Sequence, residues 1–469
     1  MPTPSNRPKI GLLGLTLELY QTLAPALQAS REQFVRAKLK PLLAKHATVM
    51  FDGAVCRRTE IDAAVARFER AGVDAIVVVL LSYSPSQLAL PALARTRLPI
   101  IIWNTQELWA VDDSYDGQKM VDNHGVHGTQ DLANVLLRSG VKFQFVTSHP
   151  DDAEGLQAVG DCIAAATAVR RLRQARIGLL GYPFPGMGDF ALDTTALAAT
   201  LGCQWISLSV ADYNDRAAAA PAAALKKLVS TYRRSYDLAR GLTEADLQAT
   251  ARTEWALRGM VKDHQLQALT YQFLAFGEDP RTLTVPFVAM SRLMAEGIGF
   301  GGEGDLIGAA GSSLLHWLCP PATFSEVFTI DFAGNGLFMS HMGEANVAMH
   351  RPDRKVKLLA REGPITRTQK RQLELITCLP PVPATLFALT LGPKNRWRLI
   401  ASPMEIADFG PLPTLDAPHF KLLPRGDVRS FLTDYALAGG PHHNAVCFGD
   451  ARARLRRVAE LLDADYCEI

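Results

Sequence analysis

Short, uninterrupted apolar runs that return at intervals are the feature that most constrains how this 469-residue chain can fold. A run whose successive residues are all apolar is typical of a parallel strand that is buried on both faces of a sheet. Amphipathic stretches separate the runs and end in Gly, as helices commonly do. The alternation predicts a doubly wound α/β domain. The runs are KIGLLGL (9–15), DAIVVVLLSY (74–83), PIIIWN (99–104) and FQFVTSH (143–149).

The pattern then restarts and later changes. ARIGLLGYP (175–183) repeats the first run, and a helical stretch and a strand-like stretch follow it. From about Phe324, short strands with turn signals replace the helices, until a helical pattern returns in RARLRRVAELLD. We therefore predict two doubly wound Rossmann-like α/β domains, N-terminal (1–172) and central (173–323). A β-rich, barrel-like C-terminal domain with a terminal helix (324–469) follows them.

Composition excludes several functional classes. The formal net charge is +2, so no global field attracts nucleic acid or a membrane surface. We find no apolar stretch long enough to span a bilayer, and the first residues lack the apolar core of a signal peptide. The seven cysteines are scattered without a CxxC pair, which argues against a disulfide framework and a cysteine-based zinc site. We expect a cytoplasmic protein with free thiols.

Five candidate functional residues lie in apolar or glycine-rich segments of the second half of the chain. Glu303 lies among glycines, Glu326 begins a strand-like run, His341 interrupts another, and His442 and His443 follow a Gly-Gly-Pro turn. Singly, each is commonly a helix-terminal carboxylate or a core histidine. Two carboxylates and two imidazoles together can hold a divalent ion, Mn²⁺ before Zn²⁺ or Ca²⁺. Because neighbours on a strand point to opposite faces, only one residue of the histidine pair is expected to face the site.

Five motifs, in the same order as in the family, resemble segments of the bacterial L-arabinose isomerases. They cover most of the chain from His127 onward. The broader L-fucose/L-arabinose isomerase superfamily shares a three-domain plan, and its polar site lies at the junction of the central and C-terminal domains. The motifs are NHGVHGTQD, VPFVAMSRLMAEGIGFGGEGDL, SEVFTIDF, FMSHMGEA and LAGGPHHNAV.

The resemblance implies a metal centre. Matched position by position, the family's ligands fall on Glu303, Glu326, His341 and His443, and the two glutamates are also the catalytic pair. The implied ion is Mn²⁺ or another divalent ion such as Co²⁺ or Mg²⁺. Alternation along the strand then turns His442 away from the metal. We expect His442 to contribute to packing, to contact a neighbouring subunit, or to support a metal ligand.

The resemblance also implies an aldose–ketose isomerase that works through an enediolate. The substrate would be a pentose, deoxyhexose or related sugar, and a hydride shift would require the same metal. The family's substrate-binding histidine falls on His127. Because a neighbouring subunit completes the family's active site, a homo-oligomer, either a trimer or a hexamer, is implied.

The sugar-reading segments depart from the family pattern. Leu17 and Glu18 stand where the family has a Gln-His pair, and His124 replaces a Gln. The segment YPFPGMGDF replaces an Asp-Asn-Met-Arg run. Glu18 and His124 therefore join His127 as candidate substrate-binding residues, and they indicate a different sugar or sugar derivative.

Two alternatives stay open at this point. One is an epimerase, or an isomerase of an unusual sugar derivative, on the same scaffold. The other is a non-catalytic sugar-binding homologue. The four ligand-type residues argue against the second alternative, because burying a charged cluster is costly for a protein that only binds a sugar.

Overall fold

The structure is a computed structural model that describes residues 7–361 and 366–469. Residues 1–6 of the predicted first domain lie outside the described residues. The chain divides into two units, which we call unit 1 (Met1–Arg170) and unit 2 (Arg171–Ile469). Across the two described ranges, no helix combines the length and apolar character that crossing a bilayer requires.

Unit 1 is built around a parallel sheet. Its strands are β1 Lys9–Leu15, β2 Thr48–Met50, β3 Ala54–Val55, β4 Ala75–Leu80, β5 Ile100–Asn104 and β6 Gln144–Thr147. The strand order is β2-β1-β4-β5-β6, and β3 also pairs with β1. All six residues of β4 are buried, which explains why this part of the sequence is continuously apolar.

Helices alternate with the strands of unit 1, as the amphipathic stretches predict. Leu132 and Leu136 of one such helix pack into the core beside the central strands. The helices are α1 Tyr20–Leu23, α2 Ala26–Phe34, α3 Lys40–Leu43, α4 Arg58–Arg70, α5 Ser86–Arg95, α6 Gly117–Asp122, α7 Val126–Arg138 and α8 Ala153–Gln174, and a π-helical turn Val35–Leu39 joins α2 to α3.

Unit 2 begins with a second parallel sheet. Its strands are β7 Arg176–Leu180, β8 Gln204–Leu208, β10 Ala268–Tyr271 and β11 Gly299–Gly301, in the order β11-β10-β7-β8. The short strand β9 Asp237–Leu238 belongs to a separate three-stranded sheet with β14 Lys357–Ala360 and β15 Leu373–Ile376. The helices are α9 Thr194–Thr200, α10 Val210–Ala218, α11 Ala222–Ser235, α12 Glu244–Asp263, α13 Phe273–Glu278, α14 Phe287–Ala295 and α15 Leu306–Leu318.

The rest of unit 2 forms a closed antiparallel barrel of six strands. They are β12 Ala322–Asp331, β13 Gly336–Ser340, β16 Pro383–Leu391, β17 Trp397–Ile406, β18 His419–Pro424 and β19 His443–Phe448. The order β16-β19-β12-β13-β18-β17 closes because β17 also pairs with β16. Strand β20 Asp465–Glu468 adds to β17 in parallel, and the helices are α16 Val428–Leu437 and α17 Arg452–Leu462.

The predicted fold class is confirmed: parallel-sheet Rossmann-like regions precede a barrel. The predicted helix over RARLRRVAELLD is α17. The three domain boundaries stay predictions, because the structure separates the chain only into the two units.

A buried carboxylate ties α12 to α14, the helix that leads into β11. Glu254 is fully buried. Its Oε1 accepts hydrogen bonds from Nε of Arg258 (2.7 Å) and Nε of Arg292 (2.9 Å). Its Oε2 accepts one from the hydroxyl of Tyr232 (2.6 Å). A buried charge that is paired and fully hydrogen-bonded is stable in place, but removing one partner is costly.

We therefore expect Glu254→Ala to lower the free energy of unfolding by about 3–5 kcal/mol, because two arginines lose a buried partner. The control is Glu296→Ala. Glu296 also pairs with Arg258 at 2.7 Å, but its side chain is 53% exposed, so its loss should cost below about 1 kcal/mol. Urea denaturation of both variants measures the difference, and equal losses would contradict the structural role of Glu254.

Candidate active site

The pairing of barrel strands brings three of the predicted ligands together. In the antiparallel β12–β19 pair, Glu326 lies directly opposite His443. In the β12–β13 pair, Glu326 lies opposite Ser340, which immediately precedes His341. Directly opposed residues share a face of the sheet. As a result, Oε1 of Glu326 lies 3.0 Å from Nε2 of His443. His341 lies one residue beyond the end of β13, where strand alternation no longer applies, and its Nε2 lies 3.6 Å from the same oxygen.

The fourth predicted ligand, Glu303, comes from the loop between β11 and α15. Its φ is +58°, a left-handed conformation that is uncommon for a residue with a side chain. Its carbonyl accepts a hydrogen bond from the backbone N–H of Phe184 (2.9 Å). Its Oε2 lies 3.7 Å from Nε2 of His443. Gly302 is needed beside it, because a Cβ there would lie 2.9 Å from Nε2 of His341.

His442 also reaches this cluster, contrary to the expectation that it turns away. Its Nε2 lies 3.8 Å from Oε2 of Glu303, and its ring centroid lies 4.1 Å from that of His443. The alternation argument is wrong here because β19 begins at His443, so His442 still belongs to the turn. Among the residues that the structure describes, four ligand atoms within 4.8 Å of one another belong to Glu303, Glu326, His442 and His443. His341 borders this group through Glu326 rather than belonging to it.

His443 of the cluster and the neighbouring His341 each have a carboxylate at Nδ1. Nδ1 of His443 lies 2.8 Å from Oδ2 of Asp305, the N-cap residue of α15. Nδ1 of His341 lies 2.6 Å from Oε2 of Glu344, whose other oxygen accepts from the hydroxyl of Tyr271. A carboxylate at Nδ1 fixes the orientation of an imidazole and leaves Nε2 available for a metal or a substrate.

The surrounding charges shift the pKa values of the buried groups. Burial of the imidazole lowers the pKa of His443, but the carboxylates of Asp305 and Glu326 outweigh burial and raise it to about 9. Burial also lowers the pKa of His341, and the charge of Glu344 reverses this effect and raises it. Burial raises the pKa of Glu326, but the neighbouring histidines lower it below its usual range. The neighbouring histidines therefore favour the charged form of Glu326.

Asp189, from the loop between β7 and α9, holds His442 in the same way. Its Oδ2 lies 2.6 Å from Nδ1 of His442 and accepts a hydrogen bond from the His442 backbone N–H (3.0 Å). Burial opposes charge on both groups, but their hydrogen bond lowers the pKa of Asp189 to about 2. The same bond, with help from Glu303, raises the pKa of His442 to about 10.

The donor set fits a divalent metal ion. Nε2 of His341 and Nε2 of His443 are buried and have no hydrogen-bond partner within the described ranges. The 3.0 Å approach of His443 to Glu326 lacks hydrogen-bond geometry, so it leaves that nitrogen unsatisfied. A buried polar atom without a partner costs roughly 1–3 kcal/mol. A cation with imidazole and carboxylate ligands would satisfy both nitrogens, and such a set suits Mn²⁺, Co²⁺ or Mg²⁺ to different degrees.

The three candidate substrate-binding residues lie in unit 1. Glu18 pairs with Nε of Arg57 at 2.7 Å, and both side chains are about half exposed. The ring centroids of His124 and His127 lie 4.3 Å apart, and the ring of Tyr83 stacks on His127 at 5.1 Å. Burial, and then the charge of His127, lowers the pKa of His124. This part of unit 1 therefore presents the imidazoles of His124 and His127 beside the phenol ring of Tyr83.

Sequence reasoning missed the carboxylates behind the histidines. Asp305 could have been found, because a residue that precedes a helical stretch by one position is an N-cap candidate. Glu344 could also have been found, since it follows His341 by three positions. Asp189 left no comparable signal, because 253 positions separate it from His442.

Two family models match the chain. The model of the L-arabinose isomerase central domain matches residues 191–318, and that of the L-arabinose isomerase C-terminal domain matches residues 321–465. Together they cover more than half of the chain. This match and the site define a sugar isomerase of the aldose–ketose class, an intramolecular oxidoreductase. The chain belongs to the L-fucose/L-arabinose isomerase superfamily, which confirms the resemblance carried by the five motifs.

Curated relatives agree with this family. An L-arabinose isomerase of Nocardioides sp. is 28% identical, covering 94% of this chain and 89% of the relative. An L-arabinose isomerase of Acidothermus cellulolyticus is 26% identical, covering 84% and 80%. A solved periplasmic solute-binding protein from Actinobacillus succinogenes covers 58% of this chain and 80% of its own, at 15% identity and a TM-score of 0.17. That TM-score supports no structural conclusion.

We expect Gly302→Ala to displace the His341 ring, because the new Cβ would also lie 3.0 Å from the ring of Phe324. Overpacking of this kind lowers the free energy of unfolding by about 1–3 kcal/mol. Gly426→Ala is the control, since a Cβ there meets nothing within 4 Å. Urea denaturation of the metal-free variants measures both effects. Equal stability of the two variants would show that the site tolerates a side chain at Gly302.

Proposed function

We propose that the protein is a divalent-metal-dependent aldose–ketose isomerase that converts a pentose, deoxyhexose or related sugar through an enediolate. The observation that carries this proposal is the convergence of two carboxylates with two buried imidazole nitrogens that lack hydrogen-bond partners in the described part of the chain. We propose Mn²⁺ as the ion, with Co²⁺ or Mg²⁺ as substitutes.

We assign Glu303, Glu326, His341 and His443 as the metal ligands. Burial distinguishes His341 from His442 as the fourth ligand. The His341 side chain is 5% exposed and its Nε2 is unsatisfied, whereas the His442 side chain is 38% exposed. A buried nitrogen gains more from a cation than one that water can reach. We therefore propose that His442 faces the sugar.

The residues present can perform the proton transfers of the reaction. A bound divalent ion would polarise the two adjacent sugar oxygens and stabilise the negative charge of the enediolate. One carboxylate of the Glu303–Glu326 pair removes the proton from C2 and returns it to C1. We propose that His442 exchanges a proton with the sugar oxygens; its Nε2, 3.8 Å from Oε2 of Glu303, supports this role. A hydride shift between the two carbons is the alternative route and would use the same ligands.

We propose that the imidazoles of unit 1 bind the sugar from a neighbouring subunit of a trimer or hexamer. His127 is exposed, although the ring of Tyr83 stacks on it, so it is available to a ligand. Glu18 and His124 would contact the hydroxyl groups that distinguish the substrate from L-arabinose. The seven cysteines are free thiols, which fits the cytoplasmic location that we propose.

The deciding experiment is a screen of the Mn²⁺-loaded protein against a panel of aldoses and ketoses, with the products identified by NMR. We expect one aldose to interconvert with its ketose. If a carboxylate carries the proton, the product formed in D₂O should contain deuterium at the carbon that receives the proton. A change of configuration without a ketose product would favour the epimerase alternative. Binding without any turnover would favour the sugar-binding homologue.

We expect His443→Ala and His341→Ala to lose most of the increase in Tm that Mn²⁺ gives the wild-type protein, because a ligand that binds only the folded state stabilises it. His442→Ala should keep that increase. Calorimetry with and without Mn²⁺ compares the three variants. If His442→Ala loses the increase and His341→Ala keeps it, the ligands are Glu303, Glu326, His442 and His443.

We expect Glu326→Gln to keep the fold and to lower kcat by roughly 10²–10⁴-fold, since an amide cannot act as a general base. Metal content is measured in the same variant, because glutamine is also a poorer ligand. Glu405→Gln, at an exposed position of barrel strand β17, is the matched control. A metal-loaded Glu326→Gln protein with wild-type turnover would exclude Glu326 as the base.

A further inference from the structure

Two consecutive residues of the loop between β7 and α9 contact the two consecutive histidines. Oδ2 of Asp189 binds both the backbone N–H and the ring of His442 (3.0 and 2.6 Å). The ring of Phe190 lies parallel to that of His443, with 5.4 Å between the centroids and 4° between the planes. Phe190 is buried, with 3% exposure. Asp189 therefore contacts His442, and the next residue, Phe190, contacts His443.

The same loop is anchored at a second point of the cluster. Near its start, the backbone N–H of Phe184 donates to the carbonyl of Glu303 (2.9 Å). Near its end, Asp189 holds His442. The segment between them bends at Gly186, whose φ is +92°. Anchoring at both ends fixes the loop against the cluster, so Asp189 acts from a defined position.

His442 depends on such a partner because its ring contacts with Phe190 (5.9 Å between centroids) and His443 (4.1 Å) do not determine where its two nitrogens point. It precedes β19, and its side chain is 38% exposed, so packing alone leaves rotamers open at a cost in conformational entropy. With the Asp189 carboxylate at Nδ1, Nε2 of His442 lies 3.8 Å from Oε2 of Glu303. Removing Asp189 would remove both hydrogen bonds at once.

We propose that Asp189 is the positioning residue of His442 and that the loop it belongs to, Tyr182–Phe190, determines how this imidazole meets the sugar. The inference rests on the proposed function, in which His442 faces the substrate. The loop coincides with YPFPGMGDF, the segment that departs from the L-arabinose isomerase pattern. A change in the sequence of this loop would therefore change the residue that positions His442, the imidazole that we propose faces the sugar.

A double-mutant cycle tests the coupling. It uses the Mn²⁺-loaded enzyme, the sugar found in the screen, and the variants Asp189→Ala, His442→Ala and the double variant. We expect Asp189→Ala to lower kcat/KM by about 10²-fold, as misplacing a reacting group does, with most of the loss in kcat. In the His442→Ala background the same change should have almost no effect.

Two further variants separate positioning from folding. Asp189→Asn keeps an oxygen that can accept from His442 but loses the charge, so it should restore part of the kcat that Asp189→Ala loses. Asp193→Asn, four positions along, removes an equal charge from a helix N-cap that asparagine also forms well, so it should match the wild type. If Asp189→Ala lowers kcat/KM equally in both backgrounds, Asp189 does not act through His442 and the proposal is overturned.

Crystal structures of the metal-free wild-type and Asp189→Ala proteins provide a readout that needs no activity. We expect the His442 ring to leave its position beside Glu303 in the variant, while the strand from His443 onward is unchanged. An unmoved ring would overturn the proposal. If the wild type converts no sugar at all, the proposed function fails, and the position of the ring still decides the role of Asp189.

Discussion

The register between β12 and β19 is the constraint on which the candidate site depends. It places Glu326 directly opposite His443, and His341, the residue after β13, lies 3.6 Å from the same carboxylate. A slip of one residue would turn one partner to the other face of the sheet. Closure of the barrel through β16 and β17 resists such a slip, because every strand is paired on both sides.

The carboxylates that contact the Nδ1 atoms of the histidines explain how several titratable groups can be buried close together. Asp305 and Glu344 each hold Nδ1 of one imidazole, so imidazoles and carboxylates alternate outward from Glu326. Asp305 also caps α15 through its other oxygen, which accepts from Gly308 N–H. The Nε2 atoms of His341 and His443 are thus oriented by carboxylates of the chain itself.

The sequence predicted the fold through patterns that burial imposes. The apolar run of β4 is continuous because all its residues are buried, and the glycines beside Glu303 fit a crowded loop. The carboxylate partners could not be predicted in the same way, because contacts such as Asp189–His442 depend on three-dimensional proximity and have no sequence period. The expected orientation of His442 was wrong for a local reason: the period of two applies only within a strand, and β19 begins one residue later.

The residues of the candidate site are supported in two different ways, by paired strands and by a loop. Glu326 and His443 lie opposite each other on paired barrel strands, so their geometry changes only if the strands move together. His442 is fixed by a loop, through a single side chain whose partner lies outside the barrel. Loops accept substitutions and insertions more readily than paired strands. The segment that holds His442 is the one that the sequence comparison by motif predicts to differ from the L-arabinose isomerases. A substitution in this loop can therefore move His442 while the paired strands that carry Glu326 and His443 stay in register.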